Sequence, residues 1–110
     1  MVRHLCTCAI VVAVMSISIQ AQEKRDGATV SRGKEVFDQC SGCHSAENDE
    51  KKVGPSLRGL FQRSKLRNGK AVTEKSVRSR IEQGGDGMPA FSELLSDKEK
   101  IDLISYLKTL

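Results

Sequence analysis

The chain has 110 residues and a formal charge of +4, with 38% hydrophobic but only 4% aromatic residues: three Phe, one Tyr and no Trp. A chain this long makes one small domain with no room for a second. So few large side chains cannot fill an independent core, which calls for a staple such as a disulfide, a metal or a cofactor.

The chain opens with Arg3 and His4, continues through an almost wholly apolar run from Leu5 to Ile19, and reaches the small residue Ala21 ahead of the polar Gln22-Glu23-Lys24-Arg25-Asp26. This is the layout of a secretory signal peptide cut near Ala21, giving a leader at 1–21 and a mature domain at 22–110. The apolar run is short for a retained anchor, which takes about 20 residues. Cys6 and Cys8 lie too near the start to follow a full apolar region as lipidated residues would. Without the leader, the chain keeps two cysteines, one histidine and one methionine, and has no integral membrane span.

Gln22–Thr29 is polar without periodicity and reads as a loose lead-in. Gly33, Val36 and Phe37 then mark a short helix from about Val30 that delivers the chain to Cys40-Ser41-Gly42-Cys43-His44. That pentapeptide is C-x-x-C-H, the attachment pattern of c-type haem: the two thiols add across two vinyl groups, and the next residue is a natural proximal ligand. A thioredoxin-like dithiol would sit in an α/β pattern, which is absent. A closed zinc site takes four ligands where Cys40, Cys43 and His44 supply three. One covalent haem is therefore the expected staple. The leader takes Arg3 with it and two propionates add negative charge, so the net charge approaches neutrality and no nucleic-acid partner is expected.

Ser45–Lys52 is a charged loop. From Val53 to Phe61 the apolar Val53, Leu57, Leu60 and Phe61 alternate irregularly with Gly54, Pro55 and Gly59, as in chain wrapped on an apolar object, and Asn68-Gly69 signals a turn. Thr73 caps a helix with Val77 and Ile81 one turn apart, closed by Gly84-Gly85. Met88 follows in Gly87-Met88-Pro89. Methionine is most often core filler, but no second His or Met remains in the mature chain to face the iron opposite His44, leaving only a lysine or the α-amino group as competing strong donors. Its neighbours Gly84, Gly85 and Gly87 allow close approach to a flat group, and Pro89 stiffens the chain after the sulfur. A capping box at Ser96-Asp97-Lys98-Glu99 starts the last helix, whose apolar face is Ile101, Leu103, Ile104, Leu107 and Leu110. The fold class is mainly α: three to four helices with long loops around one haem.

These residues resemble the small class I cytochromes c across Arg32 to Leu110, on Gly33 and Phe37, the C-x-x-C-H pentapeptide, Val53–Phe61, Gly87–Phe91 and Leu103–Lys108. The resemblance implies that Pro55 offers its carbonyl to the second imidazole nitrogen of His44. It also implies that Leu57 and Leu60 line the haem pocket and that Arg63 holds a propionate. Gly33, Phe37 and Tyr106 take the place of the family's contact between first and last helices. The spacing from Gly33 to Cys40 is one residue shorter than in many relatives, and the Trp that meets a propionate in some members is missing.

The function expected is one-electron transfer between a redox protein donor and an acceptor outside the cytoplasm, in the periplasm, by a protein that is not an enzyme. A peroxidase or small-gas-binding haem protein is the alternative, and it would need an open iron position. A free monomeric carrier and a subunit of a larger redox complex fit the sequence equally. Lys51, Lys52, Arg58, Lys65, Arg67 and Lys70 fit a partner-binding rim and an ordinary solvated face equally, since Glu47, Asp49 and Glu50 are interspersed.

Overall fold

The computed structural model describes residues 5–110, with side chains from Ile19 onward. Residues 1–4, the positive start of the expected leader, lie outside the described residues, as do the side chains of Cys6, Cys8 and Met15. Three helices follow in order: α1 (Leu5–Phe37), α2 (Glu74–Gln83) and α3 (Asp97–Leu107), with a single 3-10 turn at Leu60–Gln62. Among the described residues there is no strand, only isolated bridges pairing Lys65 with Ala71 and Gly85 with Met88. The mainly helical class expected from the sequence is the class observed.

One expectation is corrected. The segment 22–29 is not a loose lead-in but part of α1, so the short helix expected from Val30 is the end of a much longer one. Periodicity was the wrong test, because residues 19–28 are exposed on all sides and have no face to bury. Glutamine, glutamate, lysine and arginine sustain a helix by propensity alone. Gln22 Nε2 bonds Asp26 Oδ1 at 3.0 Å and Thr29 Oγ1 bonds the Arg25 carbonyl at 2.9 Å, each one turn apart.

Both later helices start as their capping residues require. The Thr73 hydroxyl accepts from Ser76 N at 3.0 Å while Ser76 Oγ accepts from Thr73 N at 3.0 Å. The Ser96 hydroxyl accepts from Glu99 N, and Glu99 Oε2 accepts from Ser96 N at 2.8 Å.

Packing is dominated by α1 against α3. Val36 and Phe37 of α1, Val77 and Ile81 of α2, and Leu103, Ile104, Tyr106 and Leu107 of α3 share one buried cluster with Leu60 and Leu95. The Phe37 and Tyr106 rings are tilted 55° with centroids 5.4 Å apart, within the favourable range for an aromatic pair. The helices meet at Gly33, where an added Cβ would lie 1.9 Å from the Asp102 carbonyl oxygen and 2.8 Å from Tyr106 Cβ. Only a glycine admits this approach, which is the helix contact expected from Gly33, Phe37 and Tyr106.

A buried carboxylate locks the crossing. Asp102 has only 5% of its side chain exposed and accepts a fork from Arg32, at 2.9 Å to Nε and 3.2 Å to Nη2, with Lys98 Nζ at 2.8 Å. The Arg32 guanidinium holds its carboxyl below the usual carboxylate range against the opposing pull of burial.

Two outcomes follow. Gly33→Ala is expected to lower Tm by about 10 °C or more, because overpacking costs about 1–3 kcal/mol and here the clash is with unyielding backbone. A melt within about 2 °C of wild type would contradict the crossing. A lowered carboxylate stabilises above its unfolded pKa and loses that contribution as pH falls through the folded one. Asp102→Asn should therefore cost about 1–2 kcal/mol at pH 7, with the deficit closing in melts taken below the unfolded value near about 3.9. A deficit independent of pH would count against the ion pair.

Candidate haem site

The end of α1 places the two thiols. After Phe37 the chain tightens into successive turns, with Cys40 N on the Phe37 carbonyl at 2.7 Å, and with Cys43 N and His44 N both on the Cys40 carbonyl at 3.1 and 2.9 Å. Cys40, Cys43 and His44 are thereby wound around one carbonyl. Cys40 is half-buried, Cys43 is exposed, and they are not joined to each other. Burial pushes the Cys40 thiol up, and Cys43 adds to the effect. That is opposite to the lowered thiol of a redox dithiol. Among the described residues no group of three or more His, Cys, Asp or Glu is placed to hold a metal ion.

His44 is buried and its ring is fixed from two sides. Nδ1 lies 2.7 Å from the Pro55 carbonyl. A carbonyl only accepts, so Nδ1 carries the proton and Nε2 presents a lone pair. Nε2 has no hydrogen-bond partner among the described residues, and none of those residues leaves a buried side-chain N or O unpaired, so Nε2 reaches accessible space. On the other side, Gly54 stacks so closely that a Cβ there would sit 2.5 Å from the ring's Cε1. The sequence showed a glycine before Pro55 without showing what it faced.

The segment that brings Gly54 and Pro55 to the ring is latched to the pentapeptide. Gly54 N donates to the Cys43 carbonyl at 2.8 Å and Leu57 N to the Ser45 carbonyl at 2.8 Å. Lys52 Nζ reaches the Ser41 carbonyl at 3.0 Å. Within the loop, Asn48 Oδ1 accepts from Ser45 Oγ and Glu50 N, while its carbonyl accepts from the buried Ser56 at 2.6 Å. The sequence placed Lys52 only on a basic rim and gave Asn48 no role; polar residues in a charged loop carry no periodicity to mark their contacts.

Leu60 belongs to the buried cluster, and Leu57 packs against it half-buried. Arg63 is exposed and donates through Nη2 to the carbonyls of Ser56 at 3.0 Å and Arg58 at 2.6 Å. Together with Asp49, Lys51, Pro55, Ser56 and Arg67 it lines an open cleft of about 360 Å3. Met88 comes from the other side of the chain, in the loop after α2, and is half-buried against the same cluster. Phe91 N bonds the Ile81 carbonyl at 3.0 Å, tying this loop back to α2.

These residues fit a covalently held porphyrin. Two unpaired thiols lie on one turn, the next residue presents an oriented imidazole lone pair, and Leu57, Phe61, Leu66, Val72, Met88 and Phe91 keep part of their apolar surface accessible. A small helical domain with this constellation is a c-type haem protein. Residues 30–110 match the family model described as cytochrome c, and the chain belongs to that family. It is 35% identical to a cytochrome c of Tetrahymena pyriformis over 72% of this chain and 86% of that one. It is 31% identical to a cytochrome c2 of Blastochloris viridis over 86% of each. Among solved structures it resembles a cytochrome c6 of the diatom Phaeodactylum tricornutum, with a TM-score of 0.57 and 30% identity over 73% of this chain and 91% of the other. The protein is thus a haem-based electron carrier with one c-type haem attached through Cys40 and Cys43, and it exchanges electrons with redox partners.

Haem should stay with the polypeptide in acid–acetone extraction, and its release would contradict thioether attachment. Cys40→Ser with Cys43→Ser is expected to leave a largely unfolded chain, because so small an apolar inventory does not hold the loops alone. Sharp amide dispersion and a cooperative melt in that variant would contradict this dependence.

Proposed function

We propose that this protein shuttles single electrons through an iron held by His44 and Met88, outside the cytoplasm, between a protein donor and a protein acceptor. The orientation of His44 carries this reading: with Nδ1 given to Pro55, the one nitrogen free to bind iron is aimed by the backbone itself. Met88 is the thioether that packs on the same core.

The haem supplies the ferrous–ferric couple. The residues keep that couple free of other chemistry. The Nδ1 proton of His44 is held by a carbonyl that cannot take it, and a thioether has no proton to give, so neither ligand needs to exchange a proton when the charge changes. Burial of His44 lowers the local dielectric, and a thioether favours the reduced iron. Leu57 and Leu60 would supply apolar walls, and Arg63, at the rim beside the cleft, would meet a propionate through donors not engaged with Ser56 and Arg58.

Export with cleavage near Ala21 is part of the proposal. Residues 19–28 are exposed and the first residue packed on the described core is Val30, so among the described side chains a cut near Ala21 removes none that is buried. Among the described residues no helix is long and apolar enough to cross a membrane. The mature protein acts as a monomer or as the electron-transfer subunit of a redox complex, and co-purification with a partner under native conditions separates the two.

Met88→Ala tests the assignment. Ferric wild type should be low-spin with a weak far-red sulfur-to-iron band and should react slowly with peroxide. The variant should lose the band and admit exogenous ligands. Its reduction potential should fall on the order of 100 mV, within the ~0.8 V range that axial ligands span. An unchanged spectrum and potential would make Met88 core filler and favour a gas-binding or peroxidase role.

A further inference from the structure

Met88 sits at the end of a two-residue turn. Gly85 N donates to the Met88 carbonyl at 2.9 Å and Met88 N donates to the Gly85 carbonyl at 3.0 Å, closing a loop whose centre is Asp86-Gly87. Both central residues have positive φ, 54° and 87°, the signs of a type I′ turn. Asp86 is the one non-glycine among the described residues with positive φ.

A single side chain meets this turn at two points. Arg80, in the last turn of α2, donates from Nη2 to the Gly85 carbonyl at 3.1 Å and to Asp86 Oδ2 at 2.9 Å. The Arg80 carbonyl also accepts from Gly84 N at 2.8 Å, where α2 ends. Arg80 therefore ends the helix with its backbone and grips the following turn with its guanidinium. The far side of the loop is tied by Phe91 and Ser92 to the carbonyls of Ile81 and Glu82, and by Lys100 Nζ to the Ser92 carbonyl. Between these anchors, Met88 lies in a stretch with no other side-chain clamp on its turn among the described residues.

We infer that Arg80 is a positioning residue for the Met88 ligand: it holds the Gly85–Met88 turn closed and so sets how often the sulfur leaves the iron. The inference rests on Met88 being an iron ligand. The magnitude of the pair decides what to measure. Asp86 is 85% exposed, and such pairs add little to global stability, so melting temperature is a poor probe. Local opening is a sensitive one. An exogenous ligand binds only the open form, and its apparent affinity scales with the open fraction.

The probe is imidazole titrated into the ferric holoprotein, with the far-red band as a second readout. Arg80→Ala is expected to tighten apparent imidazole affinity about fivefold, the shift that loss of an exposed two-point contact would give to the opening equilibrium. Arg80→Lys, which keeps the charge but not the planar guanidinium whose Nη2 reaches both acceptors, should fall between. Asp86→Asn should shift affinity in the same direction as Arg80→Ala. The two variants change local charge in opposite senses, so a purely electrostatic effect on the iron would separate them. Lys108→Ala removes the Lys108–Glu74 pair at the other end of α2 and should leave imidazole affinity unchanged. Equal affinity in wild type and Arg80→Ala, an equal gain in Lys108→Ala, or opposite shifts in Arg80→Ala and Asp86→Asn would each overturn the inference while the far-red band still reported Met88 ligation. Should wild type and Met88→Ala have the same spectrum, the ligation reading itself fails, and the role of Arg80 with it.

Discussion

The site depends first on the close approach of two helices at Gly33. Nothing with a Cβ fits against the Asp102 carbonyl there, so α1 and α3 meet in one register. The Phe37–Tyr106 ring contact and the Arg32–Asp102 ion pair settle around it. Because α1 ends at Phe37, that register also decides where Cys40 begins, and the turn around the Cys40 carbonyl then places Cys43 and His44. The covalent chemistry is thus hung from a rigid frame rather than from a free loop.

From that frame the chain builds the two sides of the site by different means. The His44 side is made of backbone: a proline carbonyl, a glycine pressed on the ring, and amide bonds between the pentapeptide and the segment that follows. The Met88 side is made by α2, whose buried Val77 and Ile81 hold it to the core while its last turn and C-terminal carbonyls hold the loop. The first side is fixed by backbone bonds between the pentapeptide and a segment some ten residues on. The Met88 loop is brought from far along the chain and is tied to the end of α2 by the Arg80 side chain and by amide bonds to the Ile81 and Glu82 carbonyls.

Much of this was legible in the residues. The pentapeptide states its chemistry by spacing alone, and the caps at Thr73 and Ser96 announce helices because capping is a local reaction of a hydroxyl with the first backbone amides. The contact of His44 with Pro55 came from family likeness, since no periodicity links two residues 11 apart across a loop. The contacts of Gly54, Lys52 and Asn48 were not legible because they exist only once the loop has folded back on Cys43. The extent of α1 was misjudged for a different reason: an exposed helix has no buried face, so it leaves no apolar stripe to read. Nothing in the sequence marked Arg80, because its contact with the turn after Gly84 exists only in the folded chain.

The central proposal is that the Met88 thioether would bind the iron together with His44. Its most direct test is an NMR spectrum of reduced holoprotein spanning residues 22–110 and labelled at methionine methyl groups, a span in which Met88 is the sole methionine. A methyl group bound through sulfur at the centre of the porphyrin lies in the ring-current field. A single methyl resonance shifted far upfield of the protein envelope is therefore expected. A Met88 methyl resonance at the ordinary position of a packed methionine would contradict the account.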